Sequence, residues 1–495
     1  MKKTFLIISL VTAISINFIQ GQNNQSINQS NLEQGYTNAA AFGFSPEASG
    51  IENMNALQKA VDKTGTIIVT TPGVYKMAGT VYVGSNTTIK FSNGVFLKKV
   101  NEQGTFSHVI VNKGAATKTY DEHIIIEGLH IIVNGIDVRK FKEAYGLHGQ
   151  LAFFYIKDLR VENFRCLDLG SAQYGIHVCT FEDIFINDVI IKGLKDGVHL
   201  GKGKRFTISN GVFETFDDAI ALNAHDYTVG NPELGWIENG VVENCHDLNA
   251  EKTTGFFCRI LAGAWIDWTP GMVVQNSDAV VSNGKLYRVM MKADGKTFKS
   301  TTRPAFESGQ MTLDSIKWVV IQNNPPYSCG VRNVTFRDIF LEKPRIGFSV
   351  HFDNDKYSRS YYPGAEVPVQ EQLVFDNIRV LHNKPIDFLS VNTPMDIVTI
   401  VNSSFRAGGI NFHGNKAMKD YLETIINMSN CVFNQGGKMT LLKNSVDGKK
   451  ITLKTSSSVT AKKDFLLVTE PGNGVINVQS DLKKLENNRN TKSKK

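Results

Sequence analysis

Residues 161–210 read VENFRCLDLGSAQYGIHVCTFEDIFINDVIIKGLKDGVHLGKGKRFTISN. Short alternating strands recur here with an asparagine in matching context: Val161-Glu162-Asn163, Phe185-Ile186-Asn187 and Ile208-Ser209-Asn210. The phrase returns just beyond the stretch as Ile237-Glu238-Asn239. The four asparagines are 24, 23 and 29 residues apart. Periods of this size mark supersecondary units that cannot bury an apolar face alone and therefore stack. One coil of a right-handed parallel β-helix takes about this many residues, with inward Ile, Val and Phe filling the core. The asparagines are expected at equivalent turns, where their amides can hydrogen-bond from coil to coil. In an ordinary β-sandwich, unrelated strands would have no reason to share turn residues.

Working outward, Met54, Leu57 and Val61 have helical spacing within residues 51–63, and strand-like text follows from Thr66. A single amphipathic helix ahead of strands alone predicts a lid over the exposed first rung of the stack. Further upstream, Lys2 and Lys3 precede an apolar run from Phe5 to Phe18 that ends near Gly21. That layout predicts a secretory signal peptide over 1–21 and a periplasmic or secreted mature protein. Residues 23–37 read as a flexible lead, and coils are expected over 38–262.

Residues 263–322 interrupt the repeat and hold three of the four tryptophans, Trp265, Trp268 and Trp318. This predicts a small inserted β module, whose aromatics either stack on sugar or form its own core. Coil-like text resumes over 323–480, from Val331-Arg332-Asn333-Val334 onward. The polar 481–495 end is expected to be a disordered tail. Of the 495 residues, 42% are hydrophobic and 20% charged, the mix of an ordered soluble chain. The net charge of +7 suits an anionic partner. Six cysteines without CxxC or zinc spacing are expected as buried thiols. No motif supports nucleic-acid binding, a cofactor or a resident metal. No segment beyond the signal is apolar enough for membrane insertion, and a monomer is expected.

Two neighbouring coils carry the chemistry. One reads Gly193-Leu194-Lys195-Asp196-Gly197-Val198-His199-Leu200, the next Thr215-Phe216-Asp217-Asp218-Ala219-Ile220-Ala221-Leu222-Asn223. Asp196 precedes Asp218 by 22 residues, as Val198 precedes Ile220. The acids therefore occupy one place on consecutive coils, about 4.8 Å apart along the stack. Glycosidic cleavage needs one protonated carboxyl for the leaving oxygen and an ionised one to activate water. Crowded acids raise at least one pKa, because neighbouring negative charge penalises ionisation. An inverting pair stands ~6.5–9.5 Å apart, which diagonal positions on adjacent coils can supply. Turn formation by Asp-Gly and Asp-Asp, or calcium binding, would use the same residues. His225 is either a ligand in the cleft or a solvated turn residue. Tyr227 and Trp236 either line the cleft or pack in the core.

The pair Lys195-Asp196-Gly197 and Asp217-Asp218-Ala219-Ile220-Ala221-Leu222-Asn223 resembles glycoside hydrolase family 28, the polygalacturonases and rhamnogalacturonan hydrolases. Pro72-Gly73-Val74-Tyr75 after the helix is similar to the pectin-lyase-like superfamily. The resemblance implies inverting hydrolysis without a cofactor, with Asp218 as general acid and Asp196 and Asp217 holding the attacking water. Cys258-Arg259-Ile260-Leu261 resembles the family's Arg-Ile-Lys motif, implying that Arg259 grips an anionic sugar. Lys195, His225 and Tyr227 complete the candidate substrate-binding set. The family's Gly-His-Gly is replaced by Glu238-Asn239-Gly240, and its Asn-Thr before the first aspartate by Leu194-Lys195. These departures set the chain apart from ordinary polygalacturonases. Gly271 to Tyr287 resembles small chitin-binding-type carbohydrate modules. The partner implied is an acidic, pectic or sulfated, polysaccharide; a lyase on the same fold and a non-catalytic glycan binder are the alternatives.

Overall fold

The computed structural model describes residues 35–249, 253–414, 422–434, 439–461, 464–471 and 473–484. The expected signal peptide and most of the expected tail lie outside them. Among the described residues thirty-one strands form one sheet whose ladders run parallel from coil to coil, the parallel β-helix that the repeat implies. Long strands such as Gly149–Leu169 and Tyr174–Gly193 bend around corners without leaving the sheet. Their inward residues stack in register, as Val161 on Ile186 and Ile186 on Ile208, and are fully buried.

The corners differ from the expected asparagine ladder. Each coil places one residue with positive φ at a given corner, a conformation that Asn and Asp tolerate and bulkier residues resist. One such column runs Asn163, Asp188, Asn210, Asn244, Asp338, Asn377, Asn402 and Asn430. Asn187 pairs with Ser209 one step before the corner, and Asn239 belongs to a second column with Asp183, Arg205 and Asn333. Amide bonds do climb the first column, Asn244 donating to Asn210 at 2.6 Å and Asn430 to Asn402 at 2.8 Å. The corner slot selects a backbone conformation, so Asp alternates with Asn.

The helix Gly50–Val61 covers the first coil. Ser49 accepts from the Glu52 N–H and Glu52 reaches back to the Ser49 N–H, a reciprocal cap that fixes where the helix starts. Its buried Ala56, Leu57, Ala60 and Val61 join the core of the coils. Among the described residues no helix is long and apolar enough to cross a membrane. Strands from Thr424–Ser429 through Lys450–Ser456 to Val475–Ser480 continue the stack at the far end. Lys483–Lys484 pair with Val459–Thr460, so ordered coil extends into the segment expected to be tail. All six cysteines are buried free thiols.

Residues 266–323 form a separate five-stranded sheet. Trp268, Tyr287 and Trp318 are buried together in its core, and Trp265 is buried against the core of the coils. These rings are therefore packing groups with no face free to stack on a sugar. The module is tied down through Arg288, whose Nη1 donates to the carbonyl oxygens of Tyr227 and Thr228.

Candidate active site

One face of the stack forms the floor of a groove. Its successive rungs are Ile110–Asn112, Leu151 to Phe153, Ile176 to Val178, Val198–Leu200, Ile220–Asn223, Cys258–Leu261 and Phe348–His351. On the way into this face the chain throws out residues 133–148. On the way out it throws out 224–236, the inserted module and 352–370. Those excursions are the walls.

Lys195-Asp196 and Asp217-Asp218 stand just ahead of the floor strands on consecutive rungs. Val198 pairs with Ile220, and the Gly197 N–H donates to the Asp218 carbonyl oxygen at 3.0 Å. Carried two residues back, this register sets Asp196 level with Asp218 and Lys195 level with Asp217. One carboxylate oxygen from each of the three aspartates lies within 4.8 Å of the others. That is closer than the ~6.5–9.5 Å expected of an inverting pair facing each other across a sugar. Such a cluster invites a hard cation, but here the Lys195 ammonium supplies the compensating charge. It hydrogen-bonds Asp217 and lies 3.6 Å from Asp196 Oδ1.

The three carboxyls are not electrostatically alike. Burial pushes Asp218 well above the usual carboxylate range, and the charges of Asp217 and Asp196 add to the push. Its Oδ1 accepts the Phe256 N–H at 2.8 Å, which opposes the shift without cancelling it. Asp217 is raised by burial and by Asp196, with Lys195 opposing. Burial would raise Asp196 as well, but the Lys195 charge and the His199 hydrogen bond outweigh it and hold the group at about 2. Asp218 is thus the member of the set that keeps a proton, and Asp196 the one that stays ionised.

His199 and Asp226 belong to this arrangement although the sequence alone does not single them out. The fully buried His199 ring sets Nδ1 2.8 Å from Asp196 Oδ2 and Nε2 3.0 Å from Asp226 Oδ2. Tyr174 stacks on it at 4.1 Å. Burial alone would discharge the imidazole; hydrogen bonds to Asp196 and Asp226 raise it instead to about 9. Asp226 is fixed by the Asn223 amide at 3.0 Å and by the Tyr227 N–H at 2.7 Å.

Two of the expected substrate contacts are used otherwise. Arg259 is buried and its Nη2 donates to both oxygens of Asp353, at 2.8 and 3.0 Å. Its charge is neutralised inside the protein, which removes it as an exposed clamp for an anionic sugar. His225 is buried against Gly263 and Trp265, and burial and the Arg288 charge push its pKa down to about 3. It is a neutral interior ring, neither solvated nor open to the groove. Lys195 and Tyr227 do face a cavity of about 590 Å³, lined also by Arg139, His148, Tyr174 and Met290. Trp236 borders a smaller cavity elsewhere and carries the Arg332 guanidinium on its ring. Lys202, Lys204 and Arg205 pair with Glu233, Glu182 and Asp183.

Neither a protein-family model nor a curated protein sequence matches the chain. Solved structures do resemble it. The catalytic unit of a thermostable GH87 alpha-1,3-glucanase from Streptomyces thermodiastaticus strain HF3-3 superimposes with a TM-score of 0.50 at 11% identity. The match covers 91% of this chain and 69% of that one. A family 28 exopolygalacturonase from Yersinia enterocolitica aligns with a TM-score of 0.46 at 11% identity, over 90% of this chain and 78% of its own. A hyperthermoactive exopolygalacturonase from Thermotoga maritima aligns at 0.42 and 11%, over 88% and 96%. At these identities the likeness is one of fold: the chain is a parallel β-helix protein.

Proposed function

We propose that the protein is an exported glycoside hydrolase of family 28-like type, acting on an acidic polysaccharide. The observation that carries this reading is the pairing of unlike carboxyls on consecutive rungs. Buried Asp218 is biased towards its acid form, and Asp196 is held ionised by Lys195 and His199. In the reaction Asp218 gives its proton to the leaving glycosidic oxygen while Asp196 takes the proton of a water attacking the anomeric carbon, a water that Asp217 helps to hold. Oxygens within 4.8 Å suit three acids sharing one water better than two acids opposed across a ring. His199 is a positioning residue: anchored by Asp226, it keeps Asp196 oriented and charged. Arg139 on the rim of the adjoining cavity favours an anionic chain there.

The test is to incubate the purified protein with pectic and sulfated polysaccharides, following new reducing ends and near-ultraviolet absorbance together. Hydrolysis predicts reducing ends without absorbance, and newly released ends of inverted anomeric configuration. An unsaturated, absorbing product would assign the site to a lyase. Retained configuration would make one of the close-set acids a covalent nucleophile. No cleavage of any member of the panel would leave a glycan binder.

A further inference from the structure

A cavity of about 730 Å³ lies between the capping helix and the segments 104–108 and 140–143. It is on the same face as the aspartates. The ladder runs from Ile110 to Leu151, from Leu151 to Ile176 and from Ile176 to Val198. His108, two residues ahead of Ile110, therefore stands three rungs, about 14 Å, from Asp196 along the groove. The excursion 133–148 is a wall shared by both cavities: Arg139, Tyr145 and His148 face the one beside Lys195, while Lys140, Lys142 and Glu143 face this one.

Its floor is short of hydrogen-bond donors. His108 is 1% exposed, and its Nδ1 lies 2.8 Å from the Gly149 carbonyl oxygen, which can only accept. Nδ1 must therefore carry a proton, and burial lowers the pKa of the ring, which leaves Nε2 of the neutral imidazole as a buried lone pair. Nε2 has no hydrogen-bond partner and is 3.6 Å from Glu143 Oε2, a second acceptor. The other Glu143 oxygen accepts from the Tyr82 hydroxyl at 2.7 Å. Two unfilled acceptors side by side under an open cavity call for hydroxyl donors. Above them the rim is cationic. Lys140 bonds the Thr105 carbonyl oxygen, and Lys142 lies over the Tyr82 ring at 5.8 Å. Hydroxyl donors below and an anionic group above describe an acidic sugar.

We propose that this cavity is a second glycan subsite, which binds an acidic sugar residue of the same chain whose scissile bond lies at Asp196 and Asp218. His108 and Glu143 accept its hydroxyls, and Lys140 and Lys142 face its carboxylate. The inference rests on the hydrolase reading for the chain's identity, but binding can be measured without cleavage. In the full-length Asp218→Asn protein, titration calorimetry compares oligogalacturonates that span both cavities with digalacturonate, which spans one. Long oligomers should bind at least about tenfold more tightly. Glu143→Gln and Lys142→Ala should each erase roughly that margin while leaving digalacturonate binding unchanged. The isosteric Glu143→Gln guards against misfolding, checked by an unaltered melting temperature. Equal affinity for long and short oligomers, no binding of the long one, or equal loss for both in Glu143→Gln would each overturn the subsite. Length-dependent binding without any cleavage by the wild type would preserve it and remove the hydrolase reading instead.

Discussion

Following one column down the groove face contrasts two sets of coils built on the same backbone. On the upstream pair the column ahead of the floor strands reads Asp196 then Asp218; on the next two rungs it reads Phe256 then Ile346. The outward floor column changes likewise, from His199 through Ala221 and Arg259 to Ser349 and Ser390. The backbone presents equivalent positions at every rung, so the chemistry is set by which side chains fill two of them. It is also set by what buries them. Downstream, Arg345 pairs with Asp247 and donates to the Asp217 carbonyl oxygen, a fixed support beneath the acids.

The largest break in this contrast comes from Asp218→Asn, which removes the proton that the downstream column never holds. Its rate on the best acidic polysaccharide should fall by about 10²-fold or more, with the melting temperature held or raised, because a buried, crowded acid is relieved. Next, Gly255→Ala tests the packing that separates the two sets. A Cβ there would lie 2.4 Å from the Asp217 carbonyl carbon and 2.7 Å from Asp218 Oδ1, so backbone must shift under the acid pair. Activity should drop roughly tenfold or more. Gly84→Ala is the control: its Cβ would meet only the flexible Lys113 side chain, at 3.3 Å, and the rate should be unchanged.

His199→Asn sharpens the comparison through pH. With His199 present, Asp196 ionises at about 2 and the acid limb of the rate profile lies very low. Without it that limb should move up towards the ordinary Asp range, a displacement that mere loss of packing would not produce. The alkaline limb, set by the raised Asp218, marks loss of activity as its proton leaves. Stability is linked to the same ring. His199 is raised from 6.5 to about 9 on folding, so its contribution is full below 6.5 and lost as pH rises through about 9. Asp226→Asn should flatten that part of the stability profile. The smallest effect is expected at a corner: Asn210→Ala keeps positive φ without the amide, costing about 1 kcal/mol in thermal unfolding and leaving the rate unchanged.

The stacking and the alignment of Asp196 with Asp218 are legible in the sequence because both depend on a count of residues from one rung to the next. The corner ladder reads one residue out on one coil, where Asp188 fills the slot beside Asn187, and a corner early on another, where Asn244 fills it and Asn239 stands in the second column. The slot demands a conformation, and a search for a letter misses that. His199 is visible in the coil that carries Asp196, and the Asp196-x-x-His199 spacing is the available signal. Asp226 and the Arg259–Asp353 pair have none, because each joins excursions whose paths the repeat does not specify. The tryptophans of the insert are ambiguous for a different reason: a sugar platform and a small core use the same residues, and only burial separates them.

Neighbouring rungs are expected to hold carboxyls in opposite protonation states. Carbon-13 NMR of the Asp carboxyls, titrated in the wild type and in Asp196→Asn and Asp218→Asn, reads it directly. One resonance, lost in Asp218→Asn, should titrate well above the normal range. A second, lost in Asp196→Asn, should stay ionised down to about pH 2. Both resonances titrating together near the ordinary value of 3.8 would contradict it.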